Sequence, residues 1–228
     1  MLGSILKLTA VFAALCAGTL LIPVPAGWHF LLLVLLFALL FGGFSFLNRE
    51  RFPELWAIWL FSTIVSIFQV LPDWFLSAVL GVLVFPEDGV LKIGTVSGYM
   101  AGLWAIPFFF ILLSGRLYQG AFTSEQWLSH GSEFKAALLC GFVGLLIFAA
   151  SEASLWMLGS WYARNVSMVG HVAVYVLLPE FMLGFFLYQY FHLSQNKPWF
   201  YWIFNGFKIS LLYTGALALS YLLMEKVA

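Results

Sequence analysis

Apolar stretches of about twenty residues alternate along this chain with short polar clusters, and that spacing predicts seven helices of membrane-crossing length. The first run, 4–22, closes at Ile22-Pro23-Val24-Pro25. It carries only one positive charge, Lys7, is longer than a usual signal h-region, and has Leu15 before Cys16 where a lipoprotein-type cleavage site needs a different pattern. It therefore reads as a retained first helix. The second, 29–47, opens after Trp28 and ends at Asn48-Arg49-Glu50-Arg51, and Pro53 then starts the third in its first turn, where a missing N–H costs nothing. The third span, 54–71, runs into Pro72-Asp73 and a further apolar piece, 74–85. That is longer than one crossing needs, so either the helix kinks at Pro72 or 74–85 is partly re-entrant. Pro86-Glu87-Asp88-Gly89 is a turn.

A fourth helix is expected over 96–114, followed by the most polar connection, 114–133, with Arg116, Glu125, His130 and Glu133 placed on a membrane surface. The fifth covers 135–158. Trp161, Tyr162, Arg164 and Asn165 suit an interface, the sixth helix spans 167–192, and Pro198 opens a seventh that ends near Met224-Glu225-Lys226.

Composition changes the solvent assigned to this pattern. Hydrophobic residues make up 63% and charged residues 9%, against about 25% charged in soluble domains, so the exterior has to face lipid. The fold class is all-α, a polytopic membrane bundle forming a single domain, 1–228. Net charge is zero with no basic block, which argues against a nucleic-acid partner. Cys16 and Cys140 lie in apolar runs and read as small core residues, not as a disulfide or CxxC pair. Seven crossings gather Lys7, Arg49, Arg51, Arg116, Lys135 and Lys197 on one side and Lys92, Arg164 and Lys226 on the other, which orients the N-terminus inside the cytoplasmic (inner) membrane and the C-terminus outside.

Candidate chemistry rests on acids in apolar sequence. Leu71-Pro72-Asp73-Trp74-Phe75-Leu76 is echoed by Leu178-Pro179-Glu180-Phe181-Met182-Leu183, 107 positions later, which suggests a duplicated half-repeat, 29–114 and 135–224. An acid at the centre of a membrane helix costs about 2.5–3.5 kcal/mol on insertion scales and is a functional-site hypothesis by default. The proline before it frees the carbonyl four residues back and can open a polar pocket. The plainer alternative is that each motif ends a helix, with its acid at the interface. Glu152 stands among Ala149, Ala153 and Gly159, which permit close helix approach, and Ser151 and Ser154 can hydrogen-bond it; it is either an uncharged acid able to give up a proton or one that joins two helices.

Other residues fit less directly. His171 lies nine residues before Glu180, on the opposite face of the expected sixth helix, and no histidine pair has i, i+4 spacing, so an intramembrane di-iron or zinc site is not expected. Lys208, ten residues beyond Pro198, falls near mid-membrane and invites a retinal Schiff base with Asp73-Trp74 as counter-ion; alternatively it snorkels from the aromatic belt Trp199-Phe200-Tyr201-Trp202. Mid-helix aromatics, including Trp104, Trp156 and Tyr175, could wall a cavity and stabilise a carbocation, or simply pack. The candidate set is therefore Glu180, Glu152 and Asp73 as catalytic acids, with Trp74, Trp104, Trp156, Tyr175, Phe181 and Lys208 contacting substrate.

The run Leu178-Pro179-Glu180-Phe181-Met182-Leu183-Gly184-Phe185-Phe186 resembles the Pro-x-Glu-Glu and apolar segment of the integral-membrane lycopene cyclase domain, itself a duplicated three-helix unit. Size and helix number are also similar to the membrane-bound terpene cyclases of meroterpenoid and indole-terpenoid pathways. The resemblance implies an isoprenoid substrate, intramembrane carboxylates as proton donor and partner, and no metal or redox cofactor. This chain departs from the lycopene motif in having Phe181 after Glu180 and Trp74 after Asp73, where that motif has adjacent acids, so a different reaction or substrate follows if the second acid is essential. The expected function is a redox-neutral, acid-initiated cyclase or isomerase acting on a membrane-dissolved isoprenoid or similar lipid. A non-catalytic membrane subunit or assembly factor, and a retinal or carotenoid binder anchored at Lys208, are the alternatives.

Overall fold

The computed structural model describes residues 2–120 and 132–227. Among them are seven helices long and apolar enough to cross a membrane: α1 (Leu2–Thr19), α2 (Ala26–Leu47), α3 (Pro53–Val79), α4 (Met100–Tyr118), α5 (Glu133–Leu158), α6 (Val174–Ser194) and α7 (Trp199–Val227). The chain is a nearly all-α, multi-pass membrane protein. The expected positions of Glu125 and His130 lie outside the described residues.

The structure decides between the two readings left open at Pro72, and it moves two helix starts. Helix α3 does not stop at Pro72; it is α-helical over Pro53–Phe68, breaks for one residue at Gln69, resumes over Val70–Trp74 and closes in a π turn, Phe75–Val79. It is thus the single interrupted span, and only the residues after Val79 leave the helix. Helix α4 begins at Met100, not at 96, because Lys92–Ile93 (β2) and Val96–Ser97 (β3) pair as a hairpin. Helix α6 begins at the 3-10 turn of Val174, not at 167, because Met168–Val169 (β5) pairs with Val172–Ala173 (β6). Gly94 and Gly170, at φ +62 and +65, supply the left-handed turn residues that these tight hairpins require. Two further strands, β1 (Leu83–Val84) and β4 (Tyr162–Ala163), pair antiparallel and join the loop after α3 to the loop after α5.

Contacts between loops fix the alternation of the helices. On one face, β1 meets β4, the Gly27 N–H donates to the Asp88 carbonyl, and Glu225 accepts from the Ser167 N–H. On the opposite face, Arg116 pairs with Glu54 at 2.6 Å, the Gln195 amide donates to Glu54 at 2.9 Å, and His192 approaches Glu133 at 3.0 Å. The described termini therefore lie on opposite faces of the bundle.

The same order of elements occurs twice: α3, β1, hairpin β2–β3, α4, then α5, β4, hairpin β5–β6, α6. Gly81 and Gly159, at φ +66 and +69, leave the first helix of each unit, and Gly94-x-Val96-x-x-Tyr99 is matched by Gly170-x-Val172-x-x-Tyr175. This repeat has a different register from the Pro72/Pro179 echo, which links α3 to α6, helices that the chain crosses in opposite directions. Helices α5 and α6 make the closest approach, where Gly144 and Gly184 meet backbone to backbone and a Cβ on Gly184 would overlap the Cys140 carbonyl. The small-residue contact is thus at Gly141, Gly144 and Gly184, whereas Ala153, expected to serve it, is exposed. Cys140 is a buried core residue whose thiol donates to the Ile111 carbonyl at 3.2 Å.

Candidate functional site

The two proline motifs build the site. Pro72 has no N–H for the carbonyl of Phe68, and the Ser210 hydroxyl of α7 donates to that carbonyl at 2.7 Å. Pro179 likewise frees the carbonyl of Tyr175, and Ser220, ten residues further along α7, donates to it at 2.6 Å. Each break is satisfied without water, as a low-dielectric interior requires. The acid after each proline is then turned inward: Asp73 is 4% exposed and Glu180 3%.

Asp73, Glu152 and Glu180 all line one cavity of about 390 Å³. Trp104, Ser151, Tyr175 and Tyr213 add to its polar lining, and Phe12, Phe30, Phe85, Phe110, Phe148 and Trp161 supply aromatic wall. The rings interlock: Trp104 lies 5.1 Å from Phe148 and 6.1 Å from Tyr213 between ring centroids. The size falls within the range of small-molecule sites, and an apolar chamber with a few convergent polar groups is the usual form of one.

The three acids differ in what holds them. Asp73 Oδ2 accepts the Trp104 indole N–H at 3.0 Å. Glu152, half-buried and near the end of α5, has Oε2 accepting the backbone N–H of Ala173 at 3.0 Å. Glu180 Oε2 is buried and has no hydrogen-bond partner among the described residues. Ser151 and Ser154, expected to hydrogen-bond Glu152, instead donate to the carbonyls of Ile147 and Ala150 in their own helix. An N–H donor thus holds the carboxyls of Asp73 and Glu152 in place, whereas Oε2 of Glu180 meets none. Tyr213 lines the cavity together with all three acids.

Several sequence candidates stand elsewhere. Trp74 is 42% exposed and covers the Gly94 turn; Phe181 packs over Gly141 and against Phe142. Trp156, 39% exposed, stacks on His171 outside the larger cavity. The Lys208 ammonium sits 4.3 Å above the Phe204 ring, and Lys208 is not part of the cavity lining. His171 is not on α6 at all; it occupies the turn of the β5–β6 hairpin and lines a smaller chamber of about 220 Å³, with Glu152 as common wall. Tyr213, Ser210 and Ser220 escaped the sequence reading. Two prolines inside apolar helices each demand a hydroxyl partner for a freed carbonyl, and the serines of α7 were the signal that could have supplied it.

No curated protein and no solved structure matches the chain significantly. Residues 70–224 match the model of a family described as Domain of unknown function (DUF6989). The matched segment opens two residues before Pro72 and contains all three cavity acids. On that match, which spans more than half of the sequence, the chain belongs to the DUF6989 family.

Proposed function

We propose that this protein is a membrane-embedded cyclase or isomerase for an isoprenoid or a similar membrane-dissolved lipid, working by proton-initiated carbocation chemistry. The observation that carries the reading is the convergence of Asp73, Glu152 and Glu180 on one aromatic-walled cavity. Glu180, unpartnered at Oε2, is the proton donor to a substrate alkene or epoxide. Protonation places positive charge on carbon, and the faces of Trp104, Phe148 and neighbouring rings stabilise it by about 0.5–2 kcal/mol each when dry. Asp73, steadied by the Trp104 N–H, opposes that charge and, with Glu152, provides the base that takes a proton from the final cation. One proton enters the substrate and one leaves, so the conversion is redox-neutral.

This reading agrees with the resemblance to membrane lycopene and terpene cyclases. A purely structural subunit would have no need of a chamber around its acids, and a retinal anchor at Lys208 would have to reach that chamber. The orientation we assign puts the N-terminus inside the cytoplasmic (inner) membrane, from the six-to-three distribution of Lys and Arg. The test is turnover of candidate polyprenyl substrates by Glu180→Gln and Glu152→Gln in membranes. Each isostere removes a transferable proton, so a loss of about 10²-fold or more is expected for Glu180→Gln. Undiminished turnover in both variants would end the proposal.

A further inference from the structure

Two of the three acids are sealed from solvent, and the third stands between them and an exposed chamber. Asp73 and Glu180 are almost wholly buried, whereas Glu152 is half-buried and lines both cavities. The common wall consists of Glu152, Trp161 and Ala163, and Glu152 alone among these can carry a proton. The smaller chamber is otherwise lined by Trp156, Tyr162, Met168 and His171, all exposed on the face that carries the β1–β4 ladder. His171 is held by stacking on Trp156, with ring centroids 3.8 Å apart at 22°. The hairpin that presents His171 also delivers the Ala173 N–H to Glu152, and its base is fastened by Glu225, which accepts from the Ser167 N–H.

We infer that the smaller chamber is the proton inlet of the site, with His171 passing protons from water to Glu152 and Glu152 passing them to Glu180. The inference rests on the acid-catalysis reading above, in which Glu180 loses a proton at each turnover and has to regain one. A hydronium ion protonates the His171 ring, the imidazolium protonates the Glu152 carboxylate, and Glu152 protonates the Glu180 carboxylate; the proton that the final cation later gives up to Glu152 leaves through His171 to water, so each carrier ends the cycle at its starting charge. The titratable groups around Glu152 are Tyr162 and His171 from the 159–173 loop, Tyr175 and Glu180 from α6, Tyr213 from α7 and Asp73 from α3. On the same loop Arg164 is occupied with the Gly81 carbonyl. His171 alone among these carries two ring nitrogens, so it can take a proton at one and release a proton from the other.

Hydrogen–deuterium exchange of the protonated-carboxyl infrared band, followed in the full-length protein in lipid vesicles, tests this without requiring turnover. The Glu180 contribution is identified by its loss in Glu180→Gln. His171→Phe keeps a ring against Trp156 but cannot carry a proton, and it is expected to slow deuteration of the Glu180 band by about tenfold or more. In His171→Ala, added imidazole is expected to restore fast exchange within the same variant, which keeps the test decisive if His171→Phe folds poorly. Equal rates in wild type and His171→Phe, or no response of His171→Ala to imidazole, would overturn the inlet while leaving the catalytic reading standing. Absence of any band lost in Glu180→Gln would overturn both.

Discussion

Proline inside a membrane helix is tolerable only when the carbonyl it strands finds a donor, and here Ser210 and Ser220 provide the two donors. Interhelical hydrogen bonds of this kind are worth about 0.6–1.7 kcal/mol in membranes. Ser210→Ala should therefore lower stability by about 1 kcal/mol in denaturation from detergent micelles. Pro72→Ala restores the N–H at position 72, so adding it to Ser210→Ala should recover most of that loss; a double variant no more stable than Ser210→Ala would sever the link between serine and proline. The acids were legible in the sequence because charge is rare in hydrocarbon. Their companions were not. Trp74 and Phe181 were chosen for adjacency, but a residue next to an acid on a helix points about 100° away from it. The cavity neighbours recur at helical spacing instead: Leu76 three after Asp73, Phe148 four before and Leu155 three after Glu152, and Val176 four before Glu180.

The helices themselves were legible from the length of their apolar runs, and the two late starts share a cause. Val96 and the segment 168–173 read as continuous with the apolar helices that follow, so hydropathy begins α4 and α6 inside their hairpins. Only the glycine within each, read together with its flanking Val, gives the hairpin away. At the α5–α6 contact the determining feature is likewise a glycine. Gly184→Ala places a methyl group against the Cys140 carbonyl, and backbone cannot yield as a side chain can. We expect it to cost about 1–3 kcal/mol by overpacking and to splay the helices that carry Glu152 and Glu180. Thermal unfolding measures the first effect. Comparison with Gly215→Ala, where a Cβ meets open space, controls for helix propensity, and equal stability of the two variants would contradict the close-packing argument.

For the whole molecule, seven alternating crossings set apart two groups of sites. Cysteines at Lys92 and Arg164, after replacing Cys16 and Cys140 by Ala, should react with a membrane-impermeant maleimide from outside intact cells. Cysteines at Arg49 and Lys197 should react only after permeabilisation. Labelling of Lys92→Cys and Lys197→Cys from the same side would refute the topology; reversal of both would refute only the orientation. The sequence disclosed the number of helices because membrane thickness sets their length. The proline echo suggested a repeat, but the register in which strands and hairpins recur stayed hidden, because lipid-facing positions accept almost any apolar residue and little besides the turn glycines, a valine and a tyrosine marks it.

The β1–β4 ladder joins corresponding strands of the two units, with Leu83 opposite Ala163 and Val84 opposite Tyr162, a register that reads alike from either strand. Leu83 and Ala163 of this ladder line the chamber, so the two units contribute matching strands to its wall, whereas Phe12 of α1, Phe30 of α2 and Tyr213 of α7 reach it from outside the repeat. Its carboxyls are unequally furnished: Asp73 accepts an indole N–H, Glu152 a backbone N–H, and Oε2 of Glu180 neither. On the proposed catalytic reading, exchanging that furnishing between the two units, more than reshaping the shared ladder, would be the way to reverse the placement of a substrate.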